Sequence, residues 1–409
     1  NGKEGKGMTE GKKTEYSGVE ITTEALEKWR ERIGCNLRIP NTFNQLVSYE
    51  AIRNFANGIG DSNPLYRDKE YAKSTRYGAL IAPPSWIHSV FPTWVLQGLP
   101  GVQAFHSGGD IEFYRPIYYK DYITPKCIFT GFDVKRSGFA GKVGKMVLEY
   151  QRAEYYNQRN ELVAKSNLWV VRTGRRSAAE AGKYSKIKHP HPWTDEEIAG
   201  IEDEVMAEKP RGARSLYWED VMVGEELPPL VKGPMGFSDM MCYFVGALPV
   251  PIYAHSVKLR LFREHPLWAF YRDPDSNSME SVVSVHFNKG AAKSVGAGYP
   301  YDGGVMRHCY LIQLLTNWMG DEGWLKRSYA EYRRFFYQGD AIWLTGKVTR
   351  KYIDEEGDHC VYIETHGMNQ RGEDTMPGFS IVALPSREVG DWPVGGRLPP
   401  NEFRGTGES

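Results

Sequence analysis

Gly60-Asp61-Ser62-Asn63-Pro64-Leu65-Tyr66 is the stretch of this 409-residue chain best equipped for proton transfer. Gly, Asp and Asn tolerate turn backbone and Pro64 fixes its own φ, so these residues make a corner. A corner fed by a helix would hold Asp61 at an exposed, fixed position, suited to an acid or a base; the same residues also suit a plain turn. The feeding helix is Ser48 to Gly58, where Ala51, Ile52, Phe55 and Ala56 recur at helical spacing and Gly58 is the stop. After the corner, Ala82-Pro83-Pro84-Ser85 opens a second helix, because the N–H groups proline lacks have no partner in a first turn. Trp86, Ile87, Val90 and Phe91 then line its buried face, with Pro92 as a kink or break.

With Tyr71-Ala72 and Gly78-Ala79-Leu80-Ile81-Ala82 downstream, this run resembles the hydratase motif of the MaoC-like dehydratases, the (R)-specific enoyl-CoA hydratases and the dehydratases of fatty-acid synthesis. The likeness spans residues 45–135, with Tyr66 standing where the family has its catalytic His. It implies hydration of an α,β-unsaturated thioester, which needs a base for water, an acid for the α-carbon and donors for the thioester oxygen. In the family, Asp and His hold one water between them, and a backbone N–H at the start of the central helix serves the oxygen, as suits the positive end of a helix dipole. Asp61 keeps the first role and Asn63 completes the motif; Tyr66, a phenol with pKa about 10, is a donor and a poor base. Pro83, Ser85 and Trp86 are the implied substrate contacts. The implied ligand is an acyl-CoA or acyl-carrier thioester, with coenzyme A as part of the substrate and no separate cofactor.

The chain then restarts its own pattern. Phe113-Tyr114-Arg115-Pro116-Ile117-Tyr118-Tyr119-Lys120-Asp121 aligns without gaps on Tyr332-Arg333-Arg334-Phe335-Phe336-Tyr337-Gln338-Gly339-Asp340, and a duplication is the simplest cause. Phe237 to Ala247 echoes the feeding helix, Pro251-Ile252-Tyr253 echoes Pro64-Leu65-Tyr66, and Gly303 to Gly320 supplies a long central helix with Leu311, Ile312, Leu315, Trp318 and Met319 as its stripe. An extra stretch near 258–290 separates corner from helix in this copy. Its polar candidates are Tyr253, His255, Asp302, Arg307 and His308, with Gly304 at the helix start. Asp302 suits an N-cap. Arg307 suits a CoA phosphate or a substrate carboxylate. His88 and His106 are assigned to the core or an acyl tunnel.

Between Phe105 and Val171, runs rich in aromatic and β-branched residues and bounded by Gly, Pro and Asp predict antiparallel strands. The organisation expected is α+β: a tail (1–20), an N-terminal domain (21–174), a linker (175–212) with one helix from Thr194 to Ala207, a C-terminal domain (213–388) and a second tail (389–409). The resemblance makes each domain a hot dog, a long helix wrapped by an antiparallel sheet, and the tandem pair a pseudo-dimer. A capped helix between Ile21 and Ile33 packs outside.

Fifty-one basic and fifty-one acidic residues leave no net charge to attract nucleic acid or a membrane surface. No apolar run suits a bilayer span or a secretory signal, so the cytoplasm is the expected compartment. The five scattered cysteines suggest neither a disulfide frame nor a zinc site, and no phosphate loop, metal-binding His pair or nucleophile elbow is present. A homodimer is expected because exposed sheet edges pair again. Two alternatives stay open beside the hydratase: an acyl-CoA thioesterase and a non-catalytic acyl-CoA binder. Within the hydratase reading, the chemistry belongs either to Asp61 and Tyr66 or to the C-terminal half.

Overall fold

The alternating residues after Phe105 form four long strands in the computed structural model: β1 (Gln103–Phe113), β2 (Thr124–Phe139), β3 (Lys142–Tyr156) and β4 (Leu162–Thr173). The second half contributes β5 (Leu230–Lys232), a small separate hairpin of β6 (Tyr271–Arg272) and β7 (Met279–Glu280), then β8 (Trp324–Glu331), β9 (Ile342–Ile353), β10 (His359–Asn369) and β11 (Gly378–Ala383). The structure describes residues 21–37, 39, 42–91, 99, 102–139, 142–173, 187–248, 253–265 and 271–390. Pro92, Pro251, Ile252 and both predicted tails' outer residues lie outside them.

One nine-stranded sheet runs in the order β2-β3-β4-β1-β8-β11-β10-β9-β5, and the halves meet where β1 pairs antiparallel with β8. In that register Asp110 faces Tyr329. Asp110 stands eleven residues before Asp121 and Tyr329 eleven before Asp340, so equivalent residues of the two copies pair with each other. That is the signature of a two-fold axis through the sheet, and it makes the fold a double hot dog.

The copies also share local chemistry. Asp121 accepts from Tyr118 N (2.8 Å) and Gln158 Nε2 (2.8 Å); Asp340 accepts from Tyr337 N (3.1 Å) and Gln370 Nε2 (2.5 Å). Both glutamines sit in one repeated turn, Asn157-Gln158-Arg159-Asn160-Glu161 and Asn369-Gln370-Arg371-Gly372-Glu373, in which the asparagine side chain accepts from the second and fourth following N–H groups. The fourth residue of each turn has positive φ, 58° at Asn160 and 72° at Gly372.

The feeding helix runs from Tyr49 to Ile59, one turn-cap later than its sequence suggests: Gly60, at φ 65°, is the left-handed stop, and Gly58 lies inside the helix. Gly58 is needed there because its helix crosses Phe237–Gly246, and a Cβ on Gly58 would stand 3.0 Å from Cys242 O. The central helix Met306–Met319 ends at Gly320 (φ 71°) and is buried on nearly every side, so its expected stripe is part of an all-round apolar surface. In the N-terminal copy the described part of the counterpart is a short turn, Pro84–Trp86, leading into Ile87–Val90.

The duplication resumes at Asn288, where the expected insertion ends: Asn288 caps Lys289–Ser294 as Asp68 caps Lys69–Ser74. The linker helix Asp195–Met206, closed by a Thr194–Glu197 capping box, packs Ile201 with Val231 and Ala341, so this end of the linker is built into the C-terminal half. The outer helix Thr23–Arg30 is capped by Thr22 and stacks Trp29 on Phe129 and Phe132, with ring centroids 4.9 Å apart in each case.

Candidate active site

Asp61 is buried, at 1% exposure, and not exposed as a corner residue would be. The C-terminal half closes over it. Lys232 Nζ (2.9 Å) and Gln313 Nε2 (3.1 Å) both donate to Gly60 O, and Glu208 accepts from Lys232 (3.1 Å), Gln313 (2.7 Å) and Asn317 (3.2 Å). Within the corner, Asn63 N donates to Asp61 Oδ1 (2.9 Å), Leu65 N to Asn63 Oδ1 (3.0 Å) and Arg67 Nε to Asp61 O (2.5 Å). Asn63 is therefore the brace that fixes the carboxylate. Burial pushes the Asp61 carboxyl up to about 6, outweighing the Asn63 N–H bond and the nearby Lys232 and Arg67 charges. A carboxyl in that range exchanges a proton near neutrality, as a general base requires.

Tyr66, 2% exposed, hydrogen-bonds Thr316 on the central helix of the other half. Burial first, then the Asp61 charge, drive its phenol well above its usual value, so it stays protonated and acts as a donor. Its ring borders a narrow cavity that opens partly to solvent. Asn63, Tyr66, Thr316 and Asp321 are polar groups on its wall, Arg115 is its cation, and Leu65, Tyr77, Phe113, Ile117, Met319 and Trp324 make it mainly apolar. Asp61 does not line this cavity; it lies behind Tyr66, close enough for its own charge to raise the phenol.

Pro83, Ser85 and Trp86 are also behind the wall. All three are buried, Ser85 beside the Cys309 thiol and Trp86 tilted against Phe55 (5.5 Å). Pro84 is the helix-start residue that reaches the cavity, and its nitrogen has no hydrogen to give a thioester oxygen.

The C-terminal candidates form a separate, structural network. Asp302 is not an N-cap: it sits before Val305, the capping position, and instead pairs with Arg307 Nε (2.8 Å) and accepts from Phe336 N (3.3 Å). Arg307 also donates to Thr375 O (3.3 Å), so its guanidinium is committed inside the fold, 4% exposed, and is not presented to a phosphate. His308 is bonded at both ring nitrogens, to Tyr332 Oη (2.9 Å) and Ser328 Oγ (3.0 Å), and burial pushes it down to about 3. It is a neutral core histidine, as are His88, whose ring centroid is 6.3 Å away, and His106, pushed down to about 4. His255 is exposed at the start of the helix His255–Glu264, and Tyr253 is half-buried two residues before it. Gly304, at φ 48°, approaches the His106 ring, where a Cβ would stand 3.6 Å from Nδ1.

Comparison with known proteins agrees with this architecture. The family signature of the FAS1-like dehydratase domain region matches residues 32–166. A UPF0336 protein of Parafrankia is 30% identical over 137 residues, 31% of this chain and 84% of that protein. A UPF0336 protein of Streptomyces coelicolor is 33% identical over 92 residues, 21% of this chain and 61% of that protein. A solved MaoC-like dehydratase overlays 87% of this chain and 99% of its own with a TM-score of 0.58 at 17% identity. The chain belongs to the UPF0336 family and shares the fold of the MaoC-like dehydratases. A Mycobacterium tuberculosis protein described as a double hotdog overlays 86% of this chain and 96% of its own, with a TM-score of 0.51 at 10% identity.

The residues of this site hardest to find from sequence are Glu208, Lys232, Gln313, Thr316 and Asp321. All come from the linker or the C-terminal half, and no motif marks them; Gln313, Thr316 and Asp321 have as their signal a position near the end of the predicted central helix, and Glu208 and Lys232 have none. Among the described residues, one group has metal-like spacing, Asp354, Glu356 and Asp358, and Lys326 Nζ already bonds all three at 2.5 to 2.8 Å. No helix among the described residues is long and apolar enough to cross a membrane.

Proposed function

We propose that this chain is a MaoC-like dehydratase whose N-terminal corner adds water to, or removes it from, the α,β double bond of an acyl thioester of CoA or a carrier protein. The observation that carries this reading is a buried carboxyl held at about 6, Asp61, directly behind a protonated phenol, Tyr66, that borders an apolar cavity. Asp61, behind the cavity wall, takes the proton of an attacking water that enters between it and the Tyr66 phenol. Tyr66 donates to the thioester oxygen as charge develops there, a duty the helix start cannot perform with Pro84 in place. The acyl chain lies among Leu65, Phe113, Met319 and Trp324. The C-terminal half supports the site and does not carry the base, because Asp302, Arg307 and His308 are all engaged with one another's surroundings.

The missing imidazole and the Pro84 nitrogen favour a second reading, an acyl-thioester binder without turnover. One experiment separates the two: the absorbance of the enoyl-thioester band is followed with a panel of unsaturated acyl-CoAs, with a thiol reagent in a parallel sample. Loss of the band without free thiol supports hydration. Free thiol means thioester hydrolysis, and protection against thermal unfolding with the band unchanged means binding alone.

A further inference from the structure

We propose that Asp321, contributed by the C-terminal half, is the second proton-transfer residue of the cavity, supplying what a tyrosine at position 66 cannot. This rests on the hydration reading above. Asp321 follows Gly320, the stop of the central helix, and its N–H donates to Gly212 O (3.0 Å). Its side chain lines the cavity while being only 3% exposed. Oδ2 accepts from Tyr71 Oη at 2.6 Å, whereas Oδ1 is buried without a hydrogen-bond partner. An unpartnered carboxyl oxygen inside a fold is costly unless it is protonated or meets a ligand.

The surroundings favour the protonated form. Burial raises the Asp321 carboxyl, and the Tyr71 hydrogen bond only partly opposes it. The other titratable or charged groups near it are Tyr66 and Tyr77, both driven upward by burial, the Glu322–Arg76 pair, whose guanidinium also donates to Glu322 O (3.1 Å), Arg211, whose side chain lies beside Gly320, and Arg115 on the same cavity wall. With Oδ2 held by Tyr71, Oδ1 is the atom left to carry the proton. Two carboxyls in unlike environments, Asp61 ionising near 6 and Asp321 raised by burial with Oδ1 unpartnered, divide base and acid roles between them.

The step balances without a co-reactant. In hydration, Asp61 removes a proton from water, the water oxygen bonds to the β-carbon, and the π electrons move toward the α-carbon and the thioester oxygen. The α-carbon takes its proton from Asp321 Oδ1. Asp61 then loses its proton to solvent and Asp321 regains one, restoring the site. Asp321 is thus an acid that must be protonated, and turnover falls as pH rises through its ionisation.

The test uses the full chain and four proteins: wild type, Asp61→Asn, Asp321→Asn and Tyr71→Phe, assayed by loss of the enoyl-thioester band across pH. Asp321→Asn is expected to lose about 100-fold or more in kcat with KM nearly unchanged. Tyr71→Phe removes the bond that lowers the Asp321 ionisation, so the alkaline limb of the rate profile moves to higher pH. Wild-type and Asp61-dependent hydration combined with near-normal Asp321→Asn, or a Tyr71→Phe limb that stays in place, overturns the role of Asp321 alone. Absence of hydration by the wild type overturns the parent reading with it. Where Asp321→Asn does not fold, the Tyr71→Phe limb decides.

Discussion

Gly58 and Gly246 are both the tenth residue of their helices, and each faces the sixth residue of the other helix: a Cβ on Gly58 would stand 3.0 Å from Cys242 O, and one on Gly246 only 2.2 Å from Asn54 O. This reciprocal contact sets how closely the two halves approach beneath the Asp61 corner. Backbone oxygens cannot swing away as a side chain can, so an added methyl must separate the helices. Gly246→Ala should destabilise the protein by about 1–3 kcal/mol and more than Gly58→Ala, measured by urea unfolding. Equal, negligible effects at both positions would mean that the crossing is loose.

Asp61 gives opposite predictions for activity and stability. As a base it works ionised, so the rate should rise with pH through a midpoint near 6 and be lost in Asp61→Asn. For stability the folded pKa lies above the unfolded one, so the folded state binds the extra proton and stability declines as pH climbs from about 4 to about 6. At pH 7 the buried charge costs roughly 1–3 kcal/mol, and Asp61→Asn, which keeps an acceptor for Asn63 N, should melt higher than wild type. A variant that loses activity and melts lower would show that Asp61 holds the corner together instead.

The repeated strands, the corner, the central helix and the relation between the halves are legible in the sequence because each follows from local patterning or from one half copying the other. The repeat Asn157–Glu161 and Asn369–Glu373 was equally available as a signal. What patterning does not carry is contact between halves. Nothing local says that Lys232 and Gln313 will seal Gly60, turning an expected exposed Asp61 into a buried one. Nor does a polar residue early in a helix reveal its partner: Asp302 reads as a cap until Arg307 and Phe336 N are seen to occupy it. Thr316 and Asp321 escape for the same reason, since they belong to the site only through the pseudo-two-fold arrangement.

Tyr66→Phe tests whether the phenol hydroxyl acts in the reaction or only fills space. The ring's packing is retained, and Thr316 keeps its own bond to Gln313 O (3.1 Å), so the loss of stability should stay within about 1.5 kcal/mol. If the hydroxyl stabilises the developing oxyanion, kcat should drop about 10- to 100-fold with little change in KM. A rise in KM at constant kcat would make Tyr66 a ground-state contact.

The Asp302–Arg307 pair should behave as structure. Arg307→Met removes the guanidinium and leaves Asp302, 4% exposed, without its cation. Breaking a buried pair from one side costs about 3–5 kcal/mol, because the remaining charge must be protonated or stay unpaired in the interior. Replacing both, Asp302→Leu with Arg307→Met, should recover much of that loss, since two buried charges are removed together. Across the series, KM for an acyl-CoA should not change among the folded molecules, because the guanidinium is already spent on Asp302 and Thr375 O. Stability in urea and KM are the two readouts. A large rise in KM with unchanged stability would return Arg307 to the role its sequence position suggests, a ligand for the CoA phosphates.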